Sequence, residues 1–259
     1  MEDLFKRLIT GIILAAIAIG AVIYLPNGVF KFGIAILSTI AIWEVVNLLD
    51  KKYPGLEPIK TSIVGFFASI SALFLSPFLA LLIIFLYGFY LGHKQYNISY
   101  LTASVFSLIY GAFFVSSIGL LHQINKDLLF VLFATIWSED IIAYLVGKTL
   151  GKNKLAPRLS PKKTWEGAIG GFLGAVIIGG ITAYMLKIYD AYIPIFAAAI
   201  LGQIGDLFES FIKRQVGEKD SSNLIPGHGG VLDRIDALVF ASVVFVTYYH
   251  VKFVISLTF

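Results

Sequence analysis

The 259-residue chain contains no cysteine, which excludes disulfides, thiolate metal sites and a nucleophilic thiol without fixing the compartment. Charge is scarce as well. Asp, Glu, Lys and Arg make up only 14% of the residues, against roughly 25% in soluble domains, while apolar residues reach 58%. With a mean hydropathy of +0.86, the chain is neither intrinsically disordered nor a water-soluble enzyme. Histidine is limited to four positions. His93, His122 and His250 are far apart, show no metal-ligand spacing, and read as packing or interface residues. No internal repeat, low-complexity tract or proline-rich linker interrupts the chain, so a single integral membrane domain over 1–259 is the simplest division.

What is present is a succession of apolar stretches near the ~20 residues of helix that a bilayer core requires. Nine candidate spans emerge: Leu8–Leu25, Val29–Leu49, Thr61–Ser76, Phe78–Gly92, Tyr100–Leu121, Leu128–Gly147, Gly167–Leu186, Ala191–Ile212 and Ile235–Leu257. The two short stretches flanking Pro77 can also be read as one broken or re-entrant unit. The first span follows Lys6 and Arg7 and contains Ala16-Ile17-Ala18, a possible cleavage site, but its apolar run exceeds a usual signal core. A retained anchor is therefore expected. The fold class expected is all-α: a polytopic integral membrane protein of about nine transmembrane helices.

Of the 20 Lys and Arg residues, 16 fall at one membrane face when loops are taken alternately, and only Lys126 and Lys187 fall in loops at the other. Cytoplasmic loops carry the basic excess, so the N-terminus and the two longest loops are expected in the cytoplasm. This places the protein in the cytoplasmic membrane, with a polar site facing the cytoplasm. Nearly all the unusual chemistry lies in the C-terminal half. Residues 1–125 are accordingly expected to serve lipid or dimer packing, and 126–259 to supply the catalytic helices and loops.

An ionisable residue inside a span costs at least ~2.5–3.5 kcal/mol on insertion scales and so needs a partner, a water cavity or a function. Asp140 lies in the sixth span beside Glu139, and Asp206, Glu209 and Ser210 share a helix face in the eighth. Asp233 and Asp236 open the ninth span three residues apart. Any one of these acids can be a structural hydrogen-bonding group. Taken together, Asp206, Asp233 and Asp236 suit Mg²⁺, which commonly takes one or two carboxylates plus substrate phosphates. Asp140 is a weaker candidate ligand. Basic loops complement them: Ser160-Pro161-Lys162-Lys163-Thr164 leads towards the seventh span, and Lys213-Arg214 with Lys219 follows the eighth. Metal and basic groups together neutralise the charge that builds up in phosphoryl transfer. Lys51 and Lys52 lack such an acid-rich context and read as topology signals. Gly227-His228-Gly229-Gly230 supplies a turn where backbone can approach a ligand closely, and His228 can either contact phosphate or cap that turn. Glu44, inside the second span, has an open role, with a buried interhelical hydrogen bond as the default. Gly170, Gly171 and Gly174 read first as helix packing and second as an opening for acyl chains.

The 27-residue run Ser210–Asp236, SFIKRQVGEKDSSNLIPGHGGVLDRID, resembles the signature of phosphatidate cytidylyltransferases, the CDP-diacylglycerol synthases. It holds Ser210, Lys213-Arg214, Lys219-Asp220, Pro226, His228-Gly229-Gly230, Asp233-Arg234 and Asp236. Asp140 with Ala143-Tyr144 and Gly147, the Ser160–Gly167 segment and Gly205-Asp206 are similar to that family too, so the resemblance covers roughly 137–240. It implies a multi-span, all-helical homodimer among membrane lipids, joining CTP to phosphatidic acid with Mg²⁺, with or without a second cation, and taking no nucleic acid. It further implies that Asp206 and Asp233 are metal ligands with Asp236 close by, and that Lys162, Lys163, Lys213, Arg214, Lys219 and Arg234 handle the triphosphate and lipid phosphate. Asp206, Asp233, Asp236, Lys213, Arg214 and Lys219 are the candidate catalytic residues. Ser160, Lys162, Lys163, Thr164, Ser210, His228, Gly229, Gly230 and Arg234 are the candidate substrate contacts.

Three other classes remain in view, one of them a catalytically dead lipid-binding scaffold, against which the intact metal-ligand candidates argue. Another CTP-using membrane enzyme, acting on an isoprenoid or ether lipid or phosphorylating a polyprenol, would share the phosphate machinery. A secondary transporter would also bear intramembrane acids, but it predicts a midplane site and repeated halves.

Overall fold

In hydrocarbon every backbone N–H and C=O must be bonded within the protein, which leaves helices as the spanning element for a chain patterned like this one. The computed structural model describes the backbone of residues 2–258 and the side chains of 9–257; the Lys6 and Arg7 side chains lie outside the described residues. Ten α-helices run in order: α1 (Glu2–Tyr24), α2 (Asn27–Asp50), α3 (Pro58–Phe74), α4 (Pro77–Lys94), α5 (Ile98–Leu108), α6 (Val115–Ile124), α7 (Asp127–Thr149), α8 (Trp165–Met185), α9 (Tyr192–Gln215) and α10 (Leu232–Thr258). The protein is thus a polytopic membrane protein of the all-α class. Among the described residues, seven helical segments are long and apolar enough to cross a membrane, and Ile9–Tyr24 and Pro58–Phe74 are shorter apolar helices.

Two compact units can be distinguished, one formed by 1–120 with 212–234 and the other by 121–211 with 235–259. In the first, the stretches around Pro77 are two separate helices. Pro77 opens α4, where its missing N–H is not needed, and Ser76 caps the helix by accepting from Phe78 N at 3.2 Å. The stretch expected as a fifth span is α5 and α6 joined without a break by a π-helical segment, Ile109–Phe114. Such segments disturb the regular hydrogen-bond ladder. Here the Gly111 carbonyl is engaged from α2 by Ser38 Oγ at 2.6 Å, and Ser38 also bonds Ser69 Oγ at 2.6 Å. Gly111 is needed for this approach, because a Cβ there would sit 2.4 Å from Ile42 Cγ1. Ile42, Val46, Leu56, Ile84 and Leu108 are fully buried around this contact.

In the second unit α7 and α8 pack at close range. A Cβ at Gly171 would lie 2.9 Å from Glu139 O, and one at Gly174 would lie 2.2 Å from Ile142 Cδ1, so these glycines serve helix packing. On α8, Ile169, Leu173, Ile177 and Ile181 recur every four residues and are each more than half exposed. A soluble surface rarely carries such a row, whereas lipid solvates it. Between the two helices the chain is not wholly irregular: β1 (Lys154–Ala156) and β2 (Ser160–Thr164) form an antiparallel hairpin. Its base is fastened to the start of α8 by the Glu166 carboxylate, which accepts from Lys152 N at 3.1 Å and from Asn153 Nδ2 at 2.8 Å. Thr164 then caps α8, its Oγ1 accepting from Gly167 N at 3.1 Å.

Candidate functional site

The hairpin delivers its basic residues to a cavity of about 450 Å³ within the second unit, walled by α7, β2, α9 and the start of α8. Three of the expected contacts, Lys162, Lys163 and Thr164, line it, together with the expected acids Asp140 and Asp206. Lys163 Nζ lies 2.5 Å from Asp206 Oδ2. Both side chains are 29% exposed, so a ligand entering the cavity can reach the pair. Tyr144, Gly147 and Lys148 on α7 complete one wall, where Gly147 leaves room for Thr164 Oγ1.

Two lining residues were not singled out by sequence as site residues. Glu139 is 3% exposed and accepts from Gln203 Nε2 at 2.8 Å, while the same Gln203 amide donates to Ala168 O at 3.0 Å. Gln203 thereby ties α7, α8 and α9 together one turn before Asp206. The i, i+3 spacing from Gln203 to Asp206 is the signal that could have found it.

A second polar cluster is held within the first unit. Asp233 Oδ1 is paired with Lys213 Nζ. Asp233 Oδ2 accepts from Ser221 N at 2.8 Å, Ser221 Oγ at 2.8 Å and Gly230 N at 2.7 Å. Both oxygens are therefore engaged by protein donors. Lys219, Asp220, His228, Gly229 and Arg234 line a neighbouring cavity of about 340 Å³. Gly229 takes φ +81°, and a Cβ there would lie 2.6 Å from Asp233 Oδ2, so its backbone forms part of the cavity wall because it has no side chain. His228 N donates to Ile225 O at 2.9 Å within the turn, while its ring Nδ1 is buried without a hydrogen-bond partner among the described residues.

The remaining candidates are placed as follows. Arg214 is exposed and donates through Nη1 to Glu218 O at 2.5 Å, closing the end of α9. Ser210 is buried on α9, and Ser160 opens β2. Asp236 Oδ1 accepts from Ala237 N at 2.8 Å in the first turns of α10. Lys51 has a specific partner, Glu218, at 2.5 Å. Among the described residues no three His, Asp or Glu side chains converge as a ready metal site. Mg²⁺ does not require three, since it commonly binds through one or two carboxylates and substrate phosphates, and Asp140 with Asp206 in one cavity meets that donor count.

Residues 5–252 match the family model described as the cytidylyltransferase family. The chain belongs to the cytidylyltransferase family. This cytidylyltransferase-family chain is 48% identical over 141 residues to the phosphatidate cytidylyltransferase of Brucella abortus biovar 1 (strain 9-941), covering 52% of each protein. It is 39% identical over 160 residues to that of Aquifex aeolicus (strain VF5), covering 62% of this chain and 61% of the relative. With that of Bacillus subtilis (strain 168) it shares 43% identity over 124 residues, 46% of each. The chain spans about half the length of the curated relatives it matches.

Proposed function

We propose that this chain is a phosphatidate cytidylyltransferase, converting CTP and phosphatidic acid to CDP-diacylglycerol and pyrophosphate in phospholipid biosynthesis. The observation that carries the reading is the Lys163–Asp206 pair in a cavity also lined by Lys162, Thr164 and Asp140, within a cytidylyltransferase-family chain. Cations beside carboxylates suit a metal-bound polyphosphate, because a metal held by the acids and the basic groups would together neutralise its charge.

The lipid phosphate is already an anionic oxygen nucleophile, so little general-base help is required. One of its oxygens attacks the α-phosphorus of CTP; the bond from that phosphorus to the bridging oxygen breaks, and pyrophosphate leaves with the electron pair. Lys162 and Lys163 screen repulsion between the two anions, with Lys213, Arg214, Lys219 and Arg234 as the further phosphate-binding cations and His228, Gly229 and Gly230 presenting the turn. Ser160, Thr164 and Ser210 supply hydroxyls. Orientation of attack is the main service such a site performs. Asp206, with the weaker candidate Asp140 in the same cavity, would hold Mg²⁺, Asp233 and Asp236 being the further candidate ligands; when bound, the ion would polarise the α-phosphate and stabilise the leaving group. The enzyme works as a homodimer in the cytoplasmic membrane, with its polar cavities towards the cytoplasm, where CTP is dissolved and lipid head groups are presented.

The test is release of pyrophosphate by the purified, detergent-solubilised protein with Mg²⁺, comparing CTP with ATP, each with and without phosphatidic acid. Release only with CTP and lipid, and its loss in Asp206→Asn, is expected. Equal release with ATP, or release indifferent to phosphatidic acid, overturns the reading.

A further inference from the structure

Glu44 is fully buried in α2, between Val45, Val46 and Ile42, none of which has any exposure. Among the described residues its carboxylate is not paired with a cation within hydrogen-bond reach. Instead each oxygen accepts two bonds from the 216–232 segment. Oε1 takes Ser222 Oγ at 2.6 Å and Val231 N at 2.8 Å; Oε2 takes Leu232 N at 2.7 Å and Ser221 Oγ at 3.1 Å.

This arrangement answers a local deficiency in the sequence. α10 starts at Leu232, and the residue before it is Val231, whose side chain cannot cap a helix. The orphan N–H groups at that end need an acceptor, and a negative charge there is favoured by the helix dipole. Glu44, 188 residues away in sequence from Leu232, supplies both. Close approach is possible because residue 230 is glycine: a Cβ there would sit 2.0 Å from Ser221 Oγ and 2.4 Å from Glu44 Oε1. Just past the end of α2, its C-cap residue Lys51 holds Glu218 at 2.5 Å, so α2 and its C-cap together fasten the two ends of the same loop. Between those points lie Lys219, His228 and Gly229, which line the 340 Å³ cavity. Ser221 Oγ lies 3.1 Å from Glu44 Oε2 and 2.8 Å from Asp233 Oδ2, and its one proton is shared between these two acceptors, so it links the Glu44 anchor to the Lys213–Asp233 pair.

We propose that Glu44 is a positioning residue: its buried carboxylate caps α10 from α2 and fixes the geometry of the phosphate-binding loop. It touches no substrate and acts through Ser221, Ser222 and the backbone of Val231 and Leu232. The consequence for catalysis rests on the cytidylyltransferase reading above; the consequence for loop order does not.

Glu44→Gln is the informative change, because the two backbone N–H groups address different oxygens. Serine hydroxyls can turn to accept from an amide, but in either rotamer one backbone N–H is left facing the amide NH₂. The chain has no cysteine, so Leu224→Cys, at an exposed loop position, gives a unique spin-label site on the 259-residue chain. In the labelled Glu44→Gln protein the loop label becomes more mobile, and the KM for CTP rises about tenfold or more with a much smaller change in kcat. Glu44→Asp keeps the charge but is one methylene short; it gives the same pattern at smaller amplitude and supplies the test if Glu44→Gln does not fold. A label as immobile as in the unsubstituted protein, with an unchanged KM, overturns the proposal. Absence of lipid-dependent transfer in the unsubstituted protein would overturn the functional reading instead, while label mobility would still decide the role of Glu44.

Discussion

Lys163 on β2 and Asp206 on α9 meet at 2.5 Å across a cavity that neither element could form alone. The pair is partly exposed, so solvent weakens the attraction between its members and their joint value to stability is small. Their value to catalysis is expected to be larger. Lys163→Met and Asp206→Asn should each lower kcat for CTP-dependent transfer by about 10²-fold or more, the scale seen when one preorganised electrostatic contact is removed. Steady-state kinetics beside thermal unfolding checks this, and a stability loss without a kinetic one would contradict it.

Lys213 and Asp233 behave differently because both are buried, with side-chain exposures of 8% and 5%. Removing one partner of a buried pair strands the other charge and costs about 3–5 kcal/mol. Lys213→Met should therefore lower the unfolding midpoint in detergent markedly, and Lys213→Met with Asp233→Asn, whose amide oxygen still accepts from Ser221 and Gly230, should recover much of the loss without restoring transfer. A double variant as unstable as the single one would contradict this account of the pair.

Glycine substitutions should change sign with their surroundings. At Gly174 a Cβ meets Ile142 Cδ1 at 2.2 Å, so Gly174→Ala should destabilise by about 1–3 kcal/mol. At Gly33, inside α2, nothing among the described residues lies within 4 Å, and Gly33→Ala should stabilise by about 0.5–1 kcal/mol. Unfolding midpoints of the two variants in the same detergent decide the matter.

Glu57 precedes α3 and is bridged by Lys94 and, at 3.1 Å, by Lys60. Hydrogen bonds from Lys94 first and Lys60 second hold its carboxyl below the usual carboxylate range. A depressed folded-state value means that its contribution is present above the unfolded value of about 4.3 and is lost as pH falls through the folded one. Glu57→Gln should lower stability at pH 7, and the gap to the unsubstituted protein should close as the medium is acidified below pH 4. A gap that persists there would rule out the carboxylate as its source.

Much of this was legible in the sequence because a bilayer imposes a simple rule on span length, and each expected apolar stretch falls on a helical segment. The sequence groups Asp206, Asp233 and Asp236 with the basic loops, whereas the structure holds Lys163 against Asp206 and Lys213 against Asp233 as two separate pairs. The hairpin at 154–164 escaped notice because its strands are three and five residues long and rich in lysine, with no alternation to read. The π-helical segment was invisible for a similar reason: its apolar sequence is compatible with an ordinary helix, and only the tertiary contact of Gly111 with Ile42 and Ser38 marks it. Glu44 and Gln203 could be seen as polar residues in apolar helices, yet their partners lie 177 and 64 residues away at Ser221 and Glu139, which no local pattern encodes.

The most direct test of the central claim follows the phosphorus atoms of CTP. Purified protein is incubated with phosphatidic acid, Mg²⁺ and CTP labelled at either the α or the γ phosphorus, and the lipid is extracted. Attack on the α-phosphorus predicts that the α label enters the lipid and that the γ label leaves as pyrophosphate. Transfer of the γ label to lipid would mean a kinase, and transfer of neither would remove CTP from the account altogether.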